Sequence, residues 1–118
     1  CPFCLPDPVL ENDLAYARLD RNPVTQGHLL IIPGRHVEDW FGLDEAERRA
    51  IDDVIHRSRD WLAKSYSPDG FNIGMNCGAA AGQTVFHMHC HLVPRYSGDT
   101  EDPTGGVRGV IPERQRYG

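Results

Sequence analysis

The chain is short of several things, and each shortage narrows what it can be. Its 118 residues hold no apolar run long enough to cross a bilayer, which would need about 20 such residues, so no membrane helix is expected. It has no internal repeat, no low-complexity segment and no interdomain linker, which leaves a single domain over 1–118. Positive charge is in deficit: 12 Lys and Arg against 17 Asp and Glu give a formal net charge of −5. That argues against a nucleic-acid surface held by bulk electrostatics, but not against one nucleotide held by a few local donors. Four cysteines are few for a disulfide scaffold, and a domain of this size does not need one. The opening Cys1-Pro2-Phe3-Cys4 does not look like a signal peptide, so a cytoplasmic location is expected. The chain starts without an initiating Met, leaving room for residues upstream of Cys1.

What is present divides into strands around one helix. Leu14–Leu19 alternates and reads as a strand, with a turn at Asn22-Pro23. A second strand is expected over His28–Ile32, ended by Pro33-Gly34. Asp44 with Glu47 three residues on forms a capping-box pattern at the start of a long helix. Ala50, Ile51, Val54, Ile55, Ser58, Trp61 and Leu62 mark its core face to about Lys64, and His56 is left on the surface. Phe71–Met75 is a third strand, Gly78–Gly82 a small-residue connection, and 97–118 a mostly irregular tail rich in Gly and Pro. The expected fold class is α+β: an antiparallel sheet of about five strands with one long helix. Cys77 and Cys90 are expected as buried thiols in strand-like contexts.

Half of the six histidines fall in one run, His87-Met88-His89-Cys90-His91, followed by Leu92-Val93-Pro94-Arg95. The alternation predicts a strand that projects three imidazoles from one face, roughly 6.6 Å apart. A neutral imidazole is a nucleophile and forms covalent intermediates, and His89 has a histidine on either side. The Gly78–Gly82 stretch lets backbone approach a ligand. N–H groups around Gln83, Thr84 and Val85, with the Gln83 amide, are placed to hold phosphate oxygens. Arg95 shares the face by parity but lies beyond Pro94.

Cys1 and Cys4 form a C-x-x-C pair, and thiolates favour zinc. His36 and His87 are the candidates to complete a closed, structural Cys-Cys-His-His site that ties the N-terminus to the sheet. The alternatives are an idle or redox-active thiol pair, or one catalytic zinc held by the three alternating histidines.

His87-Met88-His89-Cys90-His91-Leu92-Val93 resembles the signature of the histidine triad hydrolases and transferases at every position. Gln83-Thr84-Val85 before it, Pro94-Arg95 after it, and Gly27 to Pro33 with His36 three residues on are similar as well, so the resemblance covers nearly the whole chain. It implies a nucleotide hydrolase in which His89 attacks an α-phosphorus, a nucleotidyl-histidine forms, and water releases a nucleoside monophosphate. It implies that His91 contacts phosphate and assists the leaving group, that His28 supports the triad, and that Asp20 bonds the ribose hydroxyls. Asn76 and Gln83 would sit at the α-phosphate, and Thr84 and Val85 beside the nucleotide. The same family contains zinc sites of the type open to Cys1, Cys4, His36 and His87, which assigns His87 to metal before catalysis. Substrates implied are dinucleoside polyphosphates such as diadenosine tetraphosphate. Nucleoside phosphoramidase, nucleotidyl transferase and non-catalytic nucleotide- or zinc-binding readings remain as alternatives. Family members are commonly homodimers that join two sheets, and their tails, here with Arg108, can reach a partner's site.

Overall fold

The computed structural model describes residues 1–4 and 7–117. Five strands, β1 (Leu10–Glu11), β2 (Ala15–Leu19), β3 (Leu29–Pro33), β4 (Gly70–Gly74) and β5 (Cys90–Arg95), form one antiparallel sheet in the order β1-β2-β3-β5-β4. One helix, α1 (Glu45–Ser65), covers a single face. This is the expected α+β class, with β1 added as a short edge. No described helix is long and apolar enough to cross a membrane.

Composition dictates which face α1 takes. Alternate residues of β2 are Ala15 and Ala17, both buried, and β3 contributes Leu29 and Ile31 on the same side. The small alanines let Ile51, Val54, Ser58 and Leu62 come down onto the sheet, and Cys90 and Leu92 of β5 complete this core. Each fully buried Leu, Ile or Val here contributes about 1.5–3 kcal/mol by leaving water. The Asp44 cap forms as expected: its carboxylate accepts from the Glu47 N–H at 2.8 Å, and Glu47 accepts from the Asp44 N–H at 3.0 Å. Glu47 also accepts both arms of Arg35, at 2.7 and 2.9 Å, and that arginine holds its carboxyl below the ordinary value. The expected surface position of His56 is also what the structure shows, against Asp52 on the exposed side of α1.

The other face carries Tyr16, Leu30 and Ile32, covered by Phe3 from the N-terminal turn Pro2–Cys4. Register fixes what shares that face. Arg18 lies opposite Leu30, and Leu30 opposite His91, so Arg18, Leu30 and His91 form a row across three strands.

Three expectations about the fold change. The histidine run is not a strand throughout: β5 begins only at Cys90, and His87 and His89 lie in the bent segment that leads to it. Pairing between β3 and β5 stops at Ile31–Cys90. Beyond it β3 offers Pro33, which has no N–H to donate, and whose carbonyl is taken by the His87 imidazole at 2.8 Å. The backbone instead bends away, with the Met88 N–H bonded to Val37 at 2.6 Å. The tail is also more regular than expected, with 3-10 turns at Gly106–Val110 and Pro112–Arg114. Cys90 is buried as expected, and burial pushes its thiol up to about 11. Cys77 is only half-buried, because β4 ends at Gly74 and leaves it in the loop that follows rather than in the sheet.

Candidate functional site

The three histidines are brought to one region, and each is tied to a different partner: His87 to the Pro33 carbonyl, His89 to the His87 carbonyl and His91 to the His28 ring. His87 is fully buried. A carbonyl can only accept, so its Nε2 carries the proton donated to Pro33. Its Nδ1 is therefore a lone pair, and burial, the main cause, lowers its pKa and keeps the ring neutral. That lone pair faces Cys1 Sγ at 3.2 Å and Cys4 Sγ at 3.5 Å, while His36 Nδ1 stands 3.2 Å from Cys4 Sγ. All four ligand atoms lie within 4.8 Å of one another. A tetrahedral zinc with bonds of ~2.0–2.3 Å would space its ligands ~3.3–3.8 Å apart. The donor set and its spacing thus fit zinc, and the arrangement is closed, with no open coordination position aimed at the cavity.

His89 is oriented by the same logic. Its Nδ1–H donates to the His87 carbonyl at 2.9 Å, so Nε2 carries the free lone pair. Its ring packs edge-on against Phe3 at 4.9 Å and against His91 at 5.2 Å between centroids.

His91 is set by a relay. The Val24 N–H donates to His28 Nδ1 at 3.0 Å, so the neutral His28 ring has its proton on Nε2. That proton goes to His91 Nδ1 at 2.9 Å, with Asp20 Oδ2 at 3.5 Å from the same nitrogen. His91 is then left with an N–H on Nε2, a donor facing the cavity. Burial lowers the pKa of both His28 and His91, and Asp20 opposes it in each case. His28 is itself buried, at 2% exposed.

These groups border a cavity of about 420 Å³. His89, His91 and Asp20 line it as expected, together with Asn76, Thr84 and Val85. Among the described residues no acceptor bonds the backbone N–H groups of Thr84 or Val85, which leaves them as donors. Gly82 is left-handed at φ 97°, a conformation that favours glycine, and turns the chain into this segment. Asp20 also accepts the Asn22 N–H at 2.9 Å, so it is both a turn residue and a cavity residue.

Gln83 departs from expectation. Its amide accepts from the Gly78 N–H at 2.8 Å and donates to the carbonyls of Glu38 at 2.6 Å and Val85 at 3.2 Å. It is buried and absent from the cavity lining, so it holds the loop from behind. Arg95 shares the His91 face, but its guanidinium is bound to Asp99 and Asn72, away from the histidines. Arg108 lies over Tyr117 in the tail, 4.9 Å from the ring centroid.

Sequence reasoning missed Phe3, Arg18 and Leu30 in the cavity wall. Strand parity could have found Arg18, two residues before Asp20. Phe3 stands between the two C-x-x-C thiols, a position that draws attention to the metal instead.

The HIT domain model matches residues 6–98. The chain is 42% identical over 86 residues to a HIT-like protein of Mycoplasma genitalium, covering 73% of this chain and 61% of that one. It is 39% identical over 115 residues to an AP-4-A phosphorylase of Mycobacterium tuberculosis, covering 92% of this chain and 56% of that protein. The chain spans about 60% of the length of the first of these curated relatives. A zinc-bound histidine triad family protein from Mycobacterium smegmatis superposes with a TM-score of 0.77 at 34% identity, over 86% of this chain and 79% of that one. The chain therefore belongs to the HIT domain family.

Proposed function

We propose that this protein cleaves nucleotides at the α-phosphate, with dinucleoside polyphosphates as the substrate class and a nucleotidyl-His89 intermediate. The observation that carries it is the tautomer set: a free lone pair on His89 Nε2 beside an N–H on His91 Nε2, at a cavity edged by the Thr84 and Val85 N–H groups. The similarity to an AP-4-A phosphorylase supports the substrate class and a nucleotidyl-transfer reaction.

The chemistry balances with the chain's own groups. His89 Nε2 gives its electron pair to the α-phosphorus, and the bond from that phosphorus to the bridging oxygen breaks. The departing polyphosphate carries the bond's electrons away as an oxyanion. The imidazolium formed keeps its Nδ1–H on the His87 carbonyl, a dipole aimed at the charge as it develops. His91 Nε2–H and the loop N–H groups bond the phosphate oxygens. Water then attacks the same phosphorus and passes a proton to bulk solvent, the P–N bond breaks with its electron pair returning to His89 Nε2, and a nucleoside monophosphate leaves.

Cys1, Cys4, His36 and His87 would hold a structural zinc, supplying stability to the N-terminal turn and no chemistry to the reaction. A homodimer is proposed through the edge of β4, which has a neighbour on one side only among the described residues and exposes Ile73. Free thiols at a metal site fit a reducing, cytoplasmic location.

Incubation with diadenosine tetraphosphate should release AMP, and His89→Ala should lose turnover by about 10³-fold or more. Full activity in that variant overturns the assignment. A single sedimenting species of monomer mass overturns the dimer.

A further inference from the structure

The cavity contains a buried cation without an anion. Arg18 is 5% exposed, and no carboxylate pairs with it among the described residues. Its Nη1 donates to the Pro2 carbonyl at 3.2 Å. The nearby Tyr16 hydroxyl gives its proton to the Phe3 carbonyl, which leaves its oxygen to accept from the Arg18 guanidinium. A guanidinium carries several N–H donors in a planar fork; among the described residues no buried Arg18 nitrogen lacks a partner, so the donors not held by protein groups open on the cavity that Arg18 lines.

Its position relative to the histidines is set by register. Arg18 opposes Leu30 and Leu30 opposes His91. At about 4.8 Å per strand spacing, Arg18 and His91 are about 9.6 Å apart, with Leu30 as the floor between them. Phe3, clustered with Leu30, walls this span: its ring centroid is 5.5 Å from the Arg18 guanidinium carbon and 4.9 Å from the His89 ring. A nucleotide with phosphate at His89 and His91 and ribose at Asp20 would carry its base over Leu30 to Arg18. A further phosphate is the less suited occupant of this end, because Phe3 and Leu30 are apolar and Asp20 contributes like charge, while the second cation of the lining, Arg21, is exposed in the turn beyond Asp20.

We propose that Arg18 reads the base and selects a 6-oxopurine, guanine or hypoxanthine, over adenine. The fork matches the adjacent O6 and N7 acceptors of such a base, whereas adenine sets its N6 amino donor against one arm. This rests on the cavity being a nucleotide site.

The test is calorimetric titration of the zinc-loaded protein with GMP, IMP, AMP and ADP, for the natural chain, Arg18→Lys and Arg18→Met. GMP and IMP should bind about 10-fold or more tighter than AMP. Lys keeps the charge without the fork, so Arg18→Lys should bring that ratio close to one. Equal GMP and AMP binding by the natural chain overturns the inference alone. So does a ratio unchanged in both variants, or a gain from AMP to ADP that both variants abolish. Failure of all four nucleotides to bind overturns the nucleotide site as well. If neither variant folds, the ratio measured on the natural chain still decides.

Discussion

His28 Nε2 stands 2.9 Å from His91 Nδ1, and a backbone N–H fixes the direction of the proton between them. The Val24 amide donates to the far side of the His28 ring, which forces that ring to donate forward. His91 cannot then hold its proton on Nδ1, and presents it on Nε2 towards the cavity. A main-chain group at a turn thus sets the tautomer of a side chain two residues removed by hydrogen bonding.

Removing the relay should impair chemistry more than binding. In His28→Ala, His91 Nδ1 loses its donor and the ring can hold its proton on either nitrogen. Turnover of diadenosine tetraphosphate is expected to fall about 10–100-fold, as when groups that orient a histidine are removed, with KM changed little. Nitrogen chemical shifts of His91 should move from one tautomer to a mixture. An unchanged His91 tautomer in the variant contradicts the relay.

Chelating the metal should act on the cavity through Phe3. Cys1 and Cys4 bracket the turn that carries Phe3, and Phe3 packs on His89 and Arg18. Without metal, or in His36→Ala, thermal stability should drop by several degrees, about the shift for a loss of 1–2 kcal/mol in a domain of this size. AMP affinity should weaken in parallel, and Phe3→Ala should reproduce the affinity loss while zinc content stays at one per chain. Zinc removal that leaves both melting and AMP binding unchanged contradicts this link.

Much of this was legible before the structure. Ile51, Val54, Ser58 and Leu62 recur at helical spacing, and that pattern reports burial directly. Cys1, Cys4, His36 and His87 do come together as a cluster, but a lone C-x-x-C pair left idle or redox-active thiols open, and only the fold sets the two imidazoles beside the thiols. The extent of β5 was not legible, because it depends on what the neighbouring strand can offer. Pro33 withholds an N–H and gives its carbonyl to His87, and no local pattern in the His87 run encodes that. Gln83 illustrates the same limit: its amide could serve a phosphate or a loop, and only the positions of Gly78, Glu38 and Val85 decide.

Acid stability should carry the signature of Asp99. Its carboxylate accepts two bonds from Arg95, at 2.7 and 2.8 Å, and one from the Tyr96 N–H at 3.0 Å. Arg95 first, then the backbone bond, holds its pKa down at about 2, against roughly 3.9 in an unfolded chain. The folded state therefore binds this proton more weakly. The stabilisation is fully present above pH ~4 and is lost as pH falls towards 2. Asp99→Asn should be less stable than the natural chain at pH 6, with the difference shrinking between pH 4 and 2. A difference constant across that window, measured by denaturant unfolding, counts against the ion pair as its source.

Gly27→Ala should be among the more damaging single-atom changes outside the cavity. Gly27 has φ 90°, and a Cβ there would come within 2.9 Å of Leu62 Cδ2 and 3.1 Å of the Tyr66 ring. Two costs add: a left-handed backbone for an L side chain, about 1–2 kcal/mol, and a methyl group forced against the last turn of α1, about 1–3 kcal/mol. Leu62 is fully buried against the sheet, so it cannot simply swing aside. A loss of about 2 kcal/mol or more is expected, read as a lower denaturant midpoint. Gly27 also immediately precedes His28, so the strain has a second readout. If α1 yields, only stability falls; if the chain at His28 yields, the His28–His91 bond breaks and the His91 tautomer changes with it. Gly27→Ala paired with Leu62→Ala should recover part of the strain by opening space for the methyl group. A double variant whose loss equals the sum of the two singles would rule out the contact with Leu62 as the cause.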